Sequence, residues 1–148
     1  MAEFRIRIAE PDDLDGITEV VEAAYSPLAD DIPDLPNVTD DLADELEEGV
    51  TWVADIDERV VGVLLSFAQE GGLNIANLAV HPDASGCGIG RALMNVAETF
   101  VRTEGGLELR LTTHRDIPNN VAFYEGLGWV VIERDGVKVF MIKDLTTS

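Results

Sequence analysis

The sequence predicts a protein of the mixed α/β (α+β) class, with one central, mostly antiparallel sheet of about six to seven strands and about four helices. Three observations predict it. Short apolar or alternating stretches recur as strands, amphipathic stretches with a period of about 3.6 residues lie between some of them, and short polar turns join neighbouring strands. At 148 residues, the chain is expected to form a single domain over residues 1–148.

The first third of the chain is predicted to contain one strand and two helices. Residues 4–9 (FRIRIA) alternate between apolar and polar side chains, as a half-buried strand does. Residues 11–25 place apolar side chains on one helical face and acidic ones in the first turn, where the helix dipole favours them. The proline- and aspartate-rich residues 26–41 predict a loop, and residues 41–49 predict a short helix.

Two antiparallel hairpins are predicted where apolar stretches flank a short polar turn, at residues 50–68 and at residues 129–145. Their turns are Asp57-Glu58-Arg59 and Asp135-Gly136. Residues 119–128 predict a short helix that ends at glycines, just before the second hairpin.

A right-handed parallel crossover is predicted between the strands at residues 73–80 and 107–113, because a glycine turn and an amphipathic helix separate them. The apolar side of that helix consists of Ala92, Leu93, Val96, Ala97, Phe100 and Val101. Gly105-Gly106 ends the helix. One parallel strand pair is therefore expected within the antiparallel sheet.

The net charge of −19 results from 29 acidic residues against 10 basic ones. Such a surface repels the phosphate backbone, so we expect no nucleic-acid partner. A cationic substrate and adaptation to high salt would each explain the excess of acidic residues. Acidic residues in nearly every exposed segment, with lysine almost absent, favour salt adaptation.

The composition also predicts neither a membrane segment nor a metal site. The sequence has no run of about 18 apolar residues, and residues 1–13 lack the basic start and apolar core of a signal peptide. A cytoplasmic protein without membrane contact is expected. Cys87 is the single cysteine and is accompanied by only two histidines, so we predict neither a disulfide within the chain nor a bound metal.

The glycine turn between the parallel strands predicts an anion site. Gly86, Gly88 and Gly90 remove side chains at the start of a helix, whose free N–H groups and positive dipole end attract phosphate. The nucleotide P-loop does not fit, because Arg91-Ala92 stands where that motif has Lys-Ser/Thr. The dinucleotide fingerprint does not fit either, because the spacing is Gly-x-Gly-x-Gly.

Three motifs, LAVHPDASGCGIGRALM (residues 78–94), NNVAFYEGLGW (residues 119–129) and DGVKVFMIKDL (residues 135–145), resemble the GNAT superfamily of acetyl-CoA-dependent N-acetyltransferases. The order of predicted strands and helices resembles that family over essentially the whole chain. The resemblance implies the GNAT fold, in which the parallel strand pair splays apart, and acetyl-CoA as the acyl donor. In the family motif Gln/Arg-x-x-Gly-x-Gly/Ala, Ser85 replaces the Gln or Arg.

The resemblance also implies a set of residues that bind coenzyme A. The pyrophosphate would face the Ser85 hydroxyl and six successive backbone groups, those of Gly86, Cys87, Gly88, Ile89, Gly90 and Arg91. The pantetheine arm would pair with the strand edge at Leu78, Ala79 and Val80. Asn119 or Asn120 is a further candidate to bind the pantetheine, although the family's usual asparagine position holds Ile117.

Catalytic roles are implied for two residues, and the general base stays open. Tyr124 occupies the position of a tyrosine that contacts coenzyme A and protonates its leaving thiolate, and the Val80 N–H would polarise the thioester carbonyl. The family position of the base is Asn74, which cannot titrate. The alternatives are Glu70, His114, or a water relayed by Asn74 or Asn77.

The predicted function is therefore transfer of an acetyl group from acetyl-CoA to a primary amine of a small molecule or peptide. The alternative is a GNAT-fold domain that binds acyl-CoA as a sensor without turnover. The acceptor would contact the residues after His114 and the loop at residues 26–41, whose Asp30, Asp31 and Asp34 suit a cationic amine. The resemblance is also compatible with a homodimer.

Overall fold

One seven-stranded sheet runs through the computed structural model, which describes residues 3–29, 42–117 and 119–146. Its strands are β1 (Arg5–Ile8), β2 (Val50–Ile56), β3 (Arg59–Gln69), β4 (Gly72–Val80), β5 (Glu108–His114), β6 (Val130–Asp135) and β7 (Lys138–Asp144). They lie in the order β1-β2-β3-β4-β5-β7-β6, and of these strands only β4 and β5 pair in parallel. The predicted class, a mixed and mostly antiparallel sheet with one parallel pair, is confirmed.

The described residues form four α-helices, which cover both faces of the sheet: α1 (Leu14–Ala29), α2 (Leu42–Glu48), α3 (Ile89–Thr103) and α4 (Asn120–Gly126). The first two helices bury a cluster that includes Val20 and Val53 against one face. The other two bury a larger cluster that includes Leu93 and Tyr124 against the opposite face. None of the described helices is long and apolar enough to span a membrane.

The first hairpin has a shorter turn than predicted. Asp57 and Glu58 form the turn with φ of 51° and 72°, and Arg59 is already the first residue of β3. Two successive left-handed residues match the right-handed twist of the flanking strands, which is why two-residue hairpin turns favour this conformation. The first helix is longer than predicted, because it continues from residue 25 to Ala29.

The second hairpin is inserted into the sheet with its last strand inward. β7 pairs antiparallel with all of β5, from Glu108 opposite Asp144 to His114 opposite Lys138, and β6 forms the outer edge. Local sequence patterns predict the hairpin but carry no information on which of its strands meets β5. The insertion makes β5 an interior strand, between β4 and β7.

The parallel strands β4 and β5 pair only at their amino-terminal ends. Their register runs from Gly72 opposite Glu108 to Ile75 opposite Leu111 and then stops. Beyond that point β4 stays paired with β3 as far as Val80, and β5 stays paired with β7. The two strands therefore part, and a gap opens between their carboxyl ends with unpaired backbone groups along it.

Candidate active site

The gap between β4 and β5 opens into a cleft of about 400 Å³. Its walls are the end of β4, the turn before α3, the first turn of α3 and one side of α4. Ten of the residues predicted to bind coenzyme A line it: Leu78, Val80, Ser85, Gly86, Gly88, Ile89, Gly90, Arg91, Asn120 and Tyr124. Residues that are far apart in the sequence thus meet in one cleft.

The glycine turn before α3 is shaped to receive a group from the cleft. Gly86 and Gly88 have φ of 81° and 82°, and no protein atom lies within 4 Å of a Cβ built on either residue. No side chain caps the helix, and its first hydrogen bond runs from Ala92 N–H to Gly88 O at 3.0 Å. The N–H groups of residues 89–91 therefore have no partner within the helix, and together with the open space they suit a phosphate.

Arg91 is the one cationic side chain in the described lining of the cleft. It forms no ion pair within the described part of this acidic chain. Its guanidinium can supply the charged donor that Ser85 lacks. Cys87 is exposed, lies outside the lining and has its Sγ 4.0 Å from Ser85 O, so it can contribute only through its backbone.

Alternate backbone groups of β4 face the gap. The N–H of His81 donates to Val61 O at 2.8 Å, which directs it towards β3. Because successive N–H groups of a strand point to opposite edges, those of Leu78 and Val80 point into the gap. Ala79 directs its backbone to β3, and its side chain is buried at 4% exposure in the cluster under α1. This corrects the prediction that Ala79 belongs to the exposed edge, whereas the coenzyme-binding role of Leu78 and Val80 stays a prediction.

Tyr124 lines the cleft from α4. Its side chain is 5% exposed, and its ring centroid lies 5.3 Å from that of Phe123 and 5.8 Å from that of Trp129. The backbone N–H groups of Leu127 and Trp129 donate to the backbone carbonyl oxygen of Tyr124 at 2.9 and 3.0 Å. Burial, and to a smaller extent the nearby Tyr25, raises the pKa of Tyr124 above its usual value. The hydroxyl therefore stays protonated and can donate a proton.

The two asparagine candidates differ in what they offer to the cleft. Asn120 lines it, and its amide nitrogen donates to Thr113 Oγ1 at 2.5 Å, so its carbonyl oxygen is left to accept. This hydrogen bond ties the first turn of α4 to β5. Asn119 has a φ of 62°, precedes α4 and lies outside the cleft lining. The structure thus brings Asn120, but not Asn119, to the cleft.

Glu70 and Asn74 do not reach the part of the cleft where an acceptor would react. Glu70 is exposed in the turn before β4, and the nine residues of that strand separate it from Val80 by roughly 30 Å. Asn74 lies opposite Arg110, where β4 and β5 are still paired. Neither position suits a general base at the gap, because both lie before the point at which the strands part.

His114 lies at the carboxyl end of β5, on the diverging part of the strand, and is 8% exposed. Its Nδ1 accepts from the Asp116 N–H at 3.0 Å, so the neutral ring carries its proton on Nε2. Within the described residues, Nε2 is buried without a hydrogen-bond partner. In this tautomer Nε2 carries the proton and the lone pair of Nδ1 accepts from the Asp116 N–H, so neither nitrogen is free to take a proton from an amine. The predicted role of general base therefore does not fit the hydrogen bonding of His114.

The structure reveals a pair at the gap that the sequence analysis missed. The Tyr25 hydroxyl donates to Asn77 Oδ1 at 3.1 Å and so connects α1 to β4. The sequence pattern predicts Tyr25 at the end of a helix, and Asn77 is predicted only as a residue that could relay a water. An apolar pattern gives no signal for this contact, because it depends on a bulge in β4.

Acidic groups in the described residues form neither a base nor a metal site at the cleft. No three His, Cys, Asp or Glu side chains of residues 3–29, 42–117 and 119–146 are grouped so that they could hold a metal ion. The aspartates predicted to receive the acceptor, Asp30, Asp31 and Asp34, lie outside the described residues. The polar side chains in the described lining of the cleft are therefore neutral, except for that of Arg91.

Comparison with known families matches residues 47–131 to a model described as an acetyltransferase (GNAT) domain. The match covers more than half of the chain. It includes both strands of the gap, the glycine turn and Tyr124. The residues that form the cleft thus lie within the matched region.

Several solved structures share the fold along nearly the whole chain. The PaiA N-acetyltransferase of Thermoplasma acidophilum, in complex with coenzyme A, gives a TM-score of 0.86 at 21% identity, covering 96% of this chain and 99% of that one. The ribosomal-protein-S18-alanine N-acetyltransferase of Escherichia coli gives 0.81 at 18% identity, covering 99% and 96%. Ard1 of Thermoplasma volcanium gives 0.79 at 19% identity, covering 96% and 97%.

Proposed function

Because the chain belongs to the GNAT acetyltransferase family, we propose that it transfers the acetyl group of acetyl-CoA to a primary amine of a small molecule or peptide by direct attack. The gap between β4 and β5 is the observation that carries this proposal. It combines a turn that suits a phosphate, an unpaired strand edge and a protonated tyrosine in one cleft. These are the groups needed to hold a thioester and to protonate its leaving thiolate.

Coenzyme A fits the groups that line the cleft. Its pyrophosphate would lie on residues 86–91, where free N–H groups and the Arg91 guanidinium offer hydrogen bonds and positive charge. Its pantetheine arm is an extended chain with two amides, so it can bond to the free backbone of Leu78 and Val80 as an added strand would. The coenzyme A held by the PaiA structure supports the same donor for this chain.

In the proposed reaction the amine nitrogen bonds to the thioester carbon and the carbon–sulfur bond breaks. The Val80 N–H donates to the carbonyl oxygen as negative charge develops on it, which lowers the barrier. Tyr124 gives its proton to the departing thiolate, and the proton lost by the amine nitrogen restores the tyrosine. The products are an N-acetyl amide and the free thiol of coenzyme A, with no net change in protons. Proximity in the cleft supplies much of the rate.

The amine is proposed to enter as the free base. The described lining of the cleft contains neither a carboxylate nor an imidazole. The ammonium form would therefore lose its proton to water before it binds. At pH values below the pKa of the acceptor, the concentration of free amine rises about tenfold per pH unit, and the rate should rise with it.

Thiol release from acetyl-CoA tests the proposed function. The acceptors are glycinamide, an alanyl tripeptide, spermidine and kanamycin, each at about 0.2 M and about 2 M KCl, because high salt screens the acidic surface. We expect thiol release that depends on an amine and a product that carries one acetyl group by mass spectrometry. Binding of coenzyme A without turnover of any amine in this panel would contradict the proposal and favour the alternative, an acyl-CoA sensor.

A further inference from the structure

Two tyrosines belong to helices on opposite faces of the sheet near the gap. Tyr25 belongs to α1, which packs on one face, and Tyr124 belongs to α4, which packs on the other. The Tyr25 hydroxyl lies 3.1 Å from Oδ1 of Asn77, which belongs to the part of β4 that follows Ile75, the last residue paired with β5. Tyr25 therefore reaches the gap from the side opposite to α4.

A bulge in β4 turns Asn77 towards Tyr25. The register between β3 and β4 skips Ala76, which has no partner. Before the bulge, Ile75 packs in the cluster under α3, and after it, Ala79 packs in the cluster under α1. Side chains alternate along a strand, so Asn77 shares the α1 side with Ala79. The change of face coincides with the start of the gap, since pairing with β5 ends at Ile75.

The hydrogen bond to Asn77 decides what Tyr25 can offer to a ligand. The hydroxyl donates its only proton to Asn77 Oδ1, so its oxygen keeps lone pairs that can accept. Within the described chain nothing donates to that oxygen. Burial raises the pKa of Tyr25, so the hydroxyl stays neutral. Tyr25 thus presents an acceptor without a donor beside the gap.

On the basis of the proposed function, we propose that Tyr25 binds the acceptor amine by accepting one of its N–H groups, and that Asn77 is a positioning residue that holds the hydroxyl for this purpose. A primary amine has two N–H bonds. One stays on Tyr25 and remains in the product amide, while the other supplies the proton that leaves as the nitrogen–carbon bond forms. A secondary amine must lose its only N–H and with it this hydrogen bond. Tyr25 therefore selects primary over secondary amines.

The test compares a primary amine with its N-methyl form in the wild-type protein and in Tyr25→Phe. The pairs are glycinamide with sarcosinamide, and the best amine of the panel above with its N-methyl form. Tyr25→Phe should lower kcat/KM for the primary amine about fivefold to tenfold, the effect of one neutral hydrogen bond. The kcat/KM for the N-methyl form and the affinity for coenzyme A should stay as in the wild type, because neither uses the Tyr25 oxygen.

Two further variants separate this role from a merely structural one. Tyr124→Phe should lower kcat/KM for both members of a pair in the same proportion, because both need the same proton donor. Asn77→Ala should lower the preference for the primary amine as Tyr25→Phe does, and it decides the question if Tyr25→Phe fails to fold. Equal losses for the primary and N-methyl forms would overturn the inference alone. A wild-type protein that releases no thiol with any amine of the panel would refute the proposed function as well.

Discussion

Gly88→Asp compared with Gly88→Asn isolates the electrostatic contribution of the turn before α3. The two side chains have nearly the same shape, and both tolerate a left-handed backbone better than most residues do. The strain imposed by the φ of 82° at Gly88 is therefore similar in both variants, about 1–2 kcal/mol. No protein atom lies within 4 Å of the added Cβ, so neither variant should clash in the free protein.

The charge of Gly88→Asp would face the space assigned to the pyrophosphate. Two like charges about 5 Å apart repel each other by about 0.8 kcal/mol in water and by about 3 kcal/mol at an effective dielectric constant of about 20. The Asp variant should then bind coenzyme A about fourfold to about 150-fold more weakly than the Asn variant at low salt. The screening length falls from about 10 Å at 0.1 M salt to about 3 Å at 1 M, so the difference should shrink as salt is added.

Isothermal titration calorimetry of coenzyme A into both variants at about 0.1 M and about 1 M KCl measures this difference. Gly88→Asn serves as the matched neutral control, and equal melting temperatures would establish that both variants fold alike. If both variants bound coenzyme A equally well at low salt, the turn would not hold an anion, and the reasoning from free N–H groups and open space would be refuted.

Three further predictions concern catalysis and stability. Tyr124→Phe should lower kcat about a hundredfold or more and leave the calorimetric affinity for coenzyme A unchanged, whereas an unchanged kcat would remove Tyr124 from the mechanism. Asp55 is 2% exposed and accepts from Arg5 and Arg7 at 2.8 Å each, and although burial opposes them, these arginines lower the pKa of Asp55 below 3.8. Because its folded-state pKa is lowered, the ionised Asp55 stabilises the fold above pH 3.8, and this stabilisation is lost as the pH falls. The free energy of unfolding measured with urea should therefore decrease as the pH is lowered from about 4, and Asp55→Asn should make this decrease smaller. Because the net charge is −19, the melting temperature should rise as KCl screens the repulsion, and a melting temperature independent of KCl would speak against salt adaptation.

The elements around the glycine turn could be predicted because their signals are local. Glycines at positions 86 and 88, an apolar stripe on the following helix and alternating strands on both sides specify a strand, a turn, a helix and a second strand. The family resemblance then implies that the two strands splay, and the register that ends at Ile75 agrees with it. Tyr124 could be placed in the same way, through the motif that surrounds it.

The acceptor side of the site could not be predicted, because its contacts depend on tertiary structure. A regular strand would put Ile75 and Asn77 on one face, and only the bulge at Ala76 separates them. The approach of Tyr25 to Asn77 joins residues 52 positions apart. The tautomer of His114 depends on the Asp116 N–H, which becomes a donor only when the loop after β5 is folded.

Residue-resolved amide hydrogen exchange tests the central claim most directly, namely that the free edge of β4 receives the acetyl donor. The N–H groups of Leu78 and Val80 face the gap, whereas that of Ala79 points to β3. With saturating acetyl-CoA, we predict exchange about tenfold slower or more at Leu78 and Val80 and little change at Ala79, since only the former gain a partner. Unchanged exchange at Leu78 and Val80, in protein that calorimetry shows to be saturated, would contradict the claim.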